Sequence, residues 1–147
     1  MTPDPEHLQV LMLSLGGEIF AIGAEMVREI LDPIPPTRVA GARPHLPAVV
    51  NVRGNVIPLA DLRLRFGMPE RAATADTRIV VVEIPIDGDP VAVGIIADKV
   101  YEVTEISCRH AQTTPRVGTS WRPEFIDSIA KWNGEFVIIP DLERILN

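Results

Sequence analysis

Residues 48–66 read AVVNVRGNVIPLADLRLRF, and residues 128–146 read SIAKWNGEFVIIPDLERIL. Each stretch holds two short apolar runs separated by a turn with glycine and followed by Asp-Leu, which predicts a β-hairpin and then a short helix. Laid over each other without a gap, the stretches share three positions: Gly54 with Gly134, Asp61 with Asp141, and Leu62 with Leu142. This agreement indicates an internal repeat.

A second pair of segments supports the repeat. Residues 22–31, IGAEMVREIL, lie over residues 95–104, IIADKVYEVT, with the matches Ile22 to Ile95, Ala24 to Ala97, Val27 to Val100 and Glu29 to Glu102. Apolar matches alone also arise from the ordinary alternation of β-strands. The shared spacing from the turn glycine to Asp-Leu favours duplication over this simpler explanation.

The chain is predicted to be all-β, because short runs rich in valine and isoleucine recur between turn residues. Tight hairpins are expected at Gly16-Gly17 and Asn133-Gly134, since these pairs tolerate the positive φ that such turns need. Proline is abundant, with fourteen residues, and its clusters at 33–36 and 44–47 predict loops. Short helices are expected after Asp61 and after Asp141, the second at the C-terminus.

Each half is therefore predicted to form a five-stranded barrel. The first sub-barrel is expected at about residues 8–70 and the second at about 77–147, with residues 1–7 as a flexible N-terminal arm. Neither half has enough residues for a large core of its own. The two barrels are thus expected to form a pseudo-twofold pair within one domain, residues 8–147, with a groove between them.

The composition is typical of a folded protein and argues against two classes of partner. Hydrophobic residues make up 46% and charged residues 23% of the 147 residues, close to the globular average. The net charge of −6 repels nucleic-acid phosphates and anionic lipids. The single cysteine, Cys108, cannot close an intramolecular disulfide, and neither a signal peptide nor a membrane-length apolar run is evident. We expect a cytoplasmic protein.

No constellation of residues indicates a metal, a cofactor or catalysis. His7, His45 and His110 lack partners at metal-ligand spacing, and the glycines form neither a P-loop nor a dinucleotide fingerprint. Asp87 and Asp89 flank a glycine and have the composition of an acid/base pair, but a solvated hairpin turn explains them better.

Cys108 is the one candidate nucleophile. Its neighbours Arg109 and His110 would stabilise a thiolate. Because the sequence offers no identifiable base or orienting partner, an unreactive cysteine is the favoured interpretation, and we predict that the protein is not an enzyme.

Residues 27–32 form the more convincing binding feature. If they make a strand after a turn at residues 24–26, alternation puts Val27, Glu29 and Leu31 on one face and the residues between them on the other. That face then carries one carboxylate among aliphatic side chains.

We predict an ion pair between Glu29 and Arg53, which stands at the end of another strand before the Gly54-Asn55 turn. One interpretation is a surface ion pair that contributes about 0 to 1 kcal/mol and has no role in function. The other is an oriented charge beside an apolar groove, which would position a helical partner on anchors such as Val27 and Ile30.

Several segments resemble the chemotaxis coupling protein family, CheW. They are residues 20–22, 27–30, 50–63, 77–82, 93–100 and 138–143. The resemblance runs from about Leu8 to Leu146, and its most specific motif is Asn-x-Arg-Gly-x-x-Ile-Pro at residues 51–58. The chain departs from many members at Pro47-Ala48, where they have Lys-Gly or a similar small pair, so a local contact surface is expected to differ.

The resemblance implies two intertwined SH3-like five-stranded barrels and a role as an adaptor without a cofactor. Its partners would be the cytoplasmic tip of methyl-accepting chemoreceptors and the regulatory domain of the chemotaxis histidine kinase, which is itself a related double barrel. Carried over by position, the receptor-binding residues are Val27, Glu29, Ile30, Arg53 and Val56. The corresponding kinase-binding residues, placed in the second barrel, are Thr77, Arg78 and Gly94.

Three other functions remain open on the sequence. A coupler of a non-flagellar chemosensory system, such as type IV pilus twitching motility, would have the same features. A nucleic-acid-binding barrel is disfavoured by the net charge of −6 and by only four phenylalanines, two tryptophans and one tyrosine. An enzyme is disfavoured because no catalytic residues converge. Since no kinase or receiver segment accompanies the domain up to Asn147, a stand-alone coupler is expected.

Overall fold

The computed structural model describes residues 7–41, 46–69, 72–107 and 125–146. Within these residues the chain forms mostly β-strands, together with short helices. In chain order the elements are β1 (His7–Leu15), β2 (Glu18–Gly23), a 3-10 turn (Ala24–Met26), β3 (Val27–Leu31), β4 (Thr37–Arg38), β5 (Ala48–Val52), β6 (Asn55–Ala60), α1 (Leu62–Phe66), β7 (Arg78–Ile86), β8 (Asp89–Ala97), β9 (Lys99–Ser107), β10 (Ile126–Trp132), β11 (Glu135–Pro140) and α2 (Leu142–Leu146).

The strands form two sheets, and each sheet takes strands from both repeats. Barrel A has the strand order β10-β11-β2-β1-β9, and barrel B has the order β3-β7-β8-β6-β5-β4. Under the repeat, β1, β2, β3, β5 and β6 correspond to β7, β8, β9, β10 and β11. Exchanging these equivalents turns the order of barrel A into that of barrel B without the short β4. The prediction of two intertwined five-stranded barrels related by pseudo-twofold duplication is therefore confirmed.

The predicted sub-barrels at residues 8–70 and 77–147 do not coincide with the two sheets, because each sheet takes strands from both segments. The chain crosses from barrel A to barrel B at the 3-10 turn between β2 and β3, and it crosses back at Asp98 between β8 and β9. The predicted N-terminal arm also ends earlier than expected, because His7 already pairs with Ser107. Residues 1–6 lie outside the described residues.

Strands β1 and β7 are buried on both faces, which explains their nearly continuous apolar sequences. Alternate side chains point into the strand's own barrel and into a central core that both barrels share. The residues inside the barrels are Val10 and Met12 of β1 and Ile79 and Val81 of β7. The residues in the central core are Leu11 and Leu13 of β1 and Val80 and Val82 of β7.

Both predicted helices are confirmed, and each begins with an aspartate cap. The Asp61 carboxylate accepts a hydrogen bond from the backbone N–H of Arg63 at 3.0 Å, and Gly67 ends α1 with a φ of 68°. The Asp141 carboxylate accepts one from the backbone N–H of Arg144 at 3.2 Å. Such caps satisfy backbone donors that a helix start otherwise leaves unpaired.

A buried ion cluster joins α1 to the crossover at Asp98. Arg63 is only 5% exposed, and its Nε and Nη2 donate to the two carboxylate oxygens of Asp61, each at 2.8 Å. Its Nη1 lies 3.9 Å from Asp98 Oδ1. The other Asp98 oxygen accepts a hydrogen bond from the backbone N–H of Gly16 at 2.8 Å. The cluster therefore fixes α1, the β1–β2 turn and one crossover relative to each other.

Candidate functional site

The predicted pair of Glu29 and Arg53 is present in the structure. Arg53 Nη1 donates to Glu29 Oε2 at 2.7 Å. Arg53 is not the last residue of β5 but the first residue of the turn, with a φ of 52°, and Gly54 follows with a φ of 86°. The Asn51 side chain accepts a hydrogen bond from the Gly54 N–H at 2.8 Å and holds this turn.

The pair connects parts of barrel B that are far apart in its strand order. Glu29 lies on β3, at one edge of the sheet, and Arg53 follows β5, next to the other edge. Contact between them shows that the sheet curls until its two sides meet at this point. The Arg53 side chain is 75% exposed and the Glu29 side chain 26% exposed, so the guanidinium is accessible to a partner.

A β-bulge at Arg28 corrects the predicted faces of β3. Val27 pairs with Val82, whereas Glu29 pairs with the adjacent residue Val81. Because paired residues share a face and neighbours along β7 alternate, Val27 and Glu29 lie on opposite faces. The prediction that Val27 shares a face with Glu29 and Leu31 is wrong, since the extra residue of the bulge reverses the alternation.

Two aliphatic side chains close in sequence to the ion-pair residues are exposed. Ile30, next to Glu29, is 44% exposed, and Val56, just after the Arg53 turn, is 65% exposed. We call Glu29, Ile30, Arg53 and Val56 the barrel B patch. Val27 is half-buried and packs against the central core, so it contributes less surface than the prediction gave it.

The predicted kinase-binding residues do not lie on a separate barrel. Thr77 directly precedes β7, Arg78 is its first residue, and Gly94 lies on β8. Both strands belong to barrel B together with β3 and β6. Their predicted placement in the second barrel is wrong, because the strand exchange puts these segments beside the first repeat.

Only one of these three residues presents much of its side chain. Arg78 is about one third exposed, donates to the carbonyls of Ala75 and Thr77 at 2.9 and 2.7 Å, and lies 3.6 Å from Asp32. Thr77 is 7% exposed, and its hydroxyl accepts a hydrogen bond from the backbone N–H of Thr74 at 2.8 Å. Thr77 therefore shapes the turn that positions Arg78.

Gly94 is buried inside barrel B and has no surface for direct contact with a kinase. A Cβ at this position would lie 3.1 Å from Ile79 Cγ2 and 3.3 Å from Leu59 Cδ1. Gly94 also pairs with Val81 on one side and Leu59 on the other. Its role is to let neighbouring side chains fill the barrel, and its assignment as a contact residue is corrected accordingly.

This role makes a testable prediction. Gly94→Val is expected to destabilise the fold by about 1 to 3 kcal/mol, because the added methyl groups overpack the barrel interior. Guanidinium chloride unfolding measures the change. Ala92→Val is the matched control: Ala92 lies two residues earlier on the same face of β8 and is only half-buried, so its effect should be smaller. Equal effects of the two variants would contradict the packing argument.

The residue-by-residue prediction missed a second patch that the repeat itself identifies. Each member of the barrel B patch has a counterpart in barrel A: Glu102 for Glu29, Val103 for Ile30, Asn133 for Arg53 and Phe136 for Val56. Val103 and Phe136 are each 59% exposed. We call the four counterparts the barrel A patch. The matches of Glu29 to Glu102 and of Gly54 to Gly134 were the signal for it.

Of the candidates for catalysis, the described residues include only the turn with Asp87 and Asp89. Asp87, with a φ of 52°, and Gly88 form the exposed turn between β7 and β8. Cys108 lies outside the described residues, as do His45 and His110. In the part of the chain that the structure describes, no cluster of three or more His, Cys, Asp or Glu side chains is arranged to hold a metal ion.

No helix among the described residues has the length and apolar character needed to cross a membrane.

Two interlocked SH3-like barrels define a small double-barrel domain. The chain belongs to the CheW-like domain family, which it matches over residues 9–147.

Relatives from the same family match the chain over nearly its whole length. The chemotaxis protein CheW of Bacillus subtilis (strain 168) is 28% identical over 139 residues, covering 95% of this chain and 86% of the relative. The Helicobacter pylori protein of the same name is 34% identical over 141 residues, covering 96% and 82%. The crystal structure of the scaffolding protein TtCheW from Thermoanaerobacter tengcongensis superposes with a TM-score of 0.79 at 29% identity, covering 94% of this chain and 91% of that one.

Proposed function

We propose that the protein is a non-catalytic cytoplasmic adaptor that couples methyl-accepting chemoreceptors to the chemotaxis histidine kinase. The observation that carries the proposal is the accessible Glu29–Arg53 pair at 2.7 Å, together with the exposed aliphatic side chains of Ile30 and Val56 on the same barrel. Membership in the CheW-like family supports the same conclusion.

The receptor is proposed to dock on the barrel B patch. A receptor tip is helical, and a helix binds by laying apolar side chains into a groove while charges at the edge fix its register. Ile30 and Val56 offer the aliphatic surface, and Val27 extends it toward the central core. The ion pair supplies the charges, because Arg53 retains donors that Glu29 does not occupy.

The kinase regulatory domain is proposed to use a different part of the surface. Arg78, held by the Thr77 turn, remains a candidate contact beside barrel B. The barrel A patch adds Val103 and Phe136, which are too exposed to contribute much to the fold. An adaptor with two partners needs two surfaces that can be occupied together, and patches on different barrels satisfy this requirement.

The proposed mechanism requires the protein to act as a rigid body. All the patch residues lie on strands or on tight turns between strands, and the shared central core holds the two barrels together. A shift in the receptor tip would then change how the kinase domain is held. Such coupling requires different affinities for the two receptor states.

Binding experiments with purified components test this function. We expect the protein to bind a receptor-tip fragment and an isolated kinase regulatory domain at the same time, as a ternary complex in analytical ultracentrifugation. Phe136→Asp should weaken the kinase domain about tenfold or more, because it puts a charge into an apolar contact, and should leave the receptor fragment unaffected.

Val39→Asp is the control for this variant, because Val39 is 43% exposed and belongs to neither patch. It should change neither affinity. Competition between the two partners for one surface, or an equal loss of both upon Phe136→Asp, would contradict the proposed arrangement.

A further inference from the structure

Four hairpins among the described residues turn through two residues that both have a positive φ. Such turns match the twist of the flanking strands and favour glycine, asparagine or aspartate at their first position. Three of them follow this preference, at Gly16-Gly17, Asp87-Gly88 and Asn133-Gly134. The fourth begins with Arg53, at a φ of 52°. An arginine therefore occupies a backbone conformation that its residue type rarely adopts.

The second repeat shows the same turn without an arginine. Asn133 is the counterpart of Arg53, and the φ values of Asn133 and Gly134, 50° and 79°, are close to the 52° and 86° of Arg53 and Gly54. Asparagine tolerates this conformation well, so the turn forms without an arginine. What Arg53 adds is its guanidinium, which reaches Glu29 at 2.7 Å.

Asn51 supplies a brace to the turn that contains the arginine. Its Oδ1 accepts a hydrogen bond from the Gly54 N–H at 2.8 Å. The backbone pair of Val52 and Asn55 closes the hairpin, and the Gly54 N–H lies between these two residues in sequence. The side-chain bond therefore ties strand β5 to the middle of the turn and favours the conformation that Arg53 adopts.

The equivalent residue of the second repeat cannot provide this brace. Lys131 aligns with Asn51, and a lysine side chain has no hydrogen-bond acceptor. Its Nζ lies 5.6 Å from the centroid of the Phe136 ring, which pairs with it across the hairpin. The brace is thus present in the repeat whose turn begins with arginine, and the repeat whose turn begins with asparagine forms without it.

We infer that Asn51 is a positioning residue for receptor docking, which holds the Arg53-Gly54 turn in its left-handed conformation and thereby directs the Arg53 guanidinium to Glu29. This inference rests on the proposed docking of the receptor at that ion pair. The Arg53 side chain is 75% exposed, so little else restrains it. A turn fixed before binding avoids the entropy cost of ordering it in the complex.

A direct contact between Asn51 and the receptor is the alternative. Asn51 is exposed and pairs with Val56 on the neighbouring strand. Because paired residues share a face of the sheet, Asn51 lies next to a member of the barrel B patch. The experiment must therefore separate an effect through Arg53 from an effect of Asn51 itself.

Receptor affinity gives the first measurement, by isothermal titration calorimetry with a receptor-tip fragment. Asn51→Ala should weaken binding about tenfold, because the turn loses its brace. Asn51→Asp should stay within about threefold of the unmodified protein, since a carboxylate oxygen accepts the same hydrogen bond. Lys131→Ala, at the equivalent position of the other hairpin, is the matched control and should leave the affinity unchanged.

A double-mutant cycle with Arg53→Ala separates the two roles. In that background Asn51→Ala should cause no further loss of affinity, because the side chain that it positions is already gone. A further loss of about tenfold there would identify Asn51 as a direct receptor contact and overturn the inference. Equal binding by Asn51→Ala and the unmodified protein would overturn it as well.

NMR relaxation of the full chain without receptor measures the brace itself. The backbone order parameter of Arg53 should be about 0.85 in the unmodified protein and in Asn51→Asp, and should fall below about 0.6 in Asn51→Ala. The melting temperature of Asn51→Ala should stay within a few degrees, since Asn51 is exposed.

The two measurements distinguish a failure of this inference from a failure of the proposed function. A turn that stays rigid in Asn51→Ala would overturn the positioning role, even if the unmodified protein binds the receptor fragment. No binding by the unmodified protein would overturn the proposed function and, with it, the docking role of Asn51.

Discussion

Glu29→Arg is expected to weaken binding of a receptor-tip fragment about 100-fold or more while the fold stays intact. The change replaces the acceptor of Arg53 by a second guanidinium, so the patch loses its fixed charge pair and repels cations at that point. Losing a charge pair within an interface weakens association by about 2 to 5 kcal/mol. Isothermal titration calorimetry measures the affinity directly.

Stability should change little, which separates this effect from unfolding. Arg53 is 75% exposed, so its guanidinium can turn into water, and an exposed ion pair contributes only about 0 to 1 kcal/mol. The melting temperature should therefore stay within a few degrees.

Glu102→Arg is the matched control, because Glu102 has the same place in the other repeat. It should leave receptor binding unchanged. The double variant Glu29→Arg with Arg53→Glu restores an ion pair at this place with its charges exchanged. It should recover part of the affinity. Unaltered binding of Glu29→Arg would reduce the pair to a surface ion pair without a role in docking.

The largest expected effect on stability is that of Asp61→Ala. It leaves the buried Arg63 guanidinium with Asp98 at 3.9 Å as the remaining carboxylate of the cluster and also removes the cap of α1. Removing one partner of a buried ion pair costs about 3 to 5 kcal/mol. For a chain of this length, that corresponds to a fall in melting temperature of roughly 10 °C, which calorimetry would measure.

Asp141→Ala provides an internal comparison. Asp141 has the same position at the start of α2, but its side chain is 32% exposed and its ion-pair partner Arg144 is 68% exposed. This variant should lose about 1 kcal/mol, the usual contribution of a cap. If both variants lose the same amount, the buried cluster contributes nothing beyond capping.

The local structure was largely predictable because its signals are local. Hairpins at Gly16-Gly17 and Asn133-Gly134 follow from residues that accept positive φ, and their observed turns have it. Both helices follow from a capping aspartate. The Glu29–Arg53 contact was also predicted, since a duplicated five-strand unit must bring distant strand ends together when it closes.

The strand exchange was not predictable from these patterns. The 3-10 turn and Asp98 connect strands equally well whether the following strand stays in its sheet or leaves it. Thr77, Arg78 and Gly94 were therefore predicted in the wrong barrel. The bulge at Arg28 has no sequence signal either, because one additional residue leaves the composition of the strand unchanged. Gly94 was named as a kinase contact through the family resemblance, and the sequence itself does not distinguish a glycine buried by its neighbours from an exposed one.

The crossing of the chain between barrels also sets how the molecule bears load. Separating two domains joined by a linker requires only that their contact surfaces part, whereas here β3 and β9 would have to be stripped from the ladders of their sheets, bond by bond. Tension applied to one barrel therefore passes through continuous covalent chain into the other barrel. A domain built in this way transmits force between its two halves without first parting them.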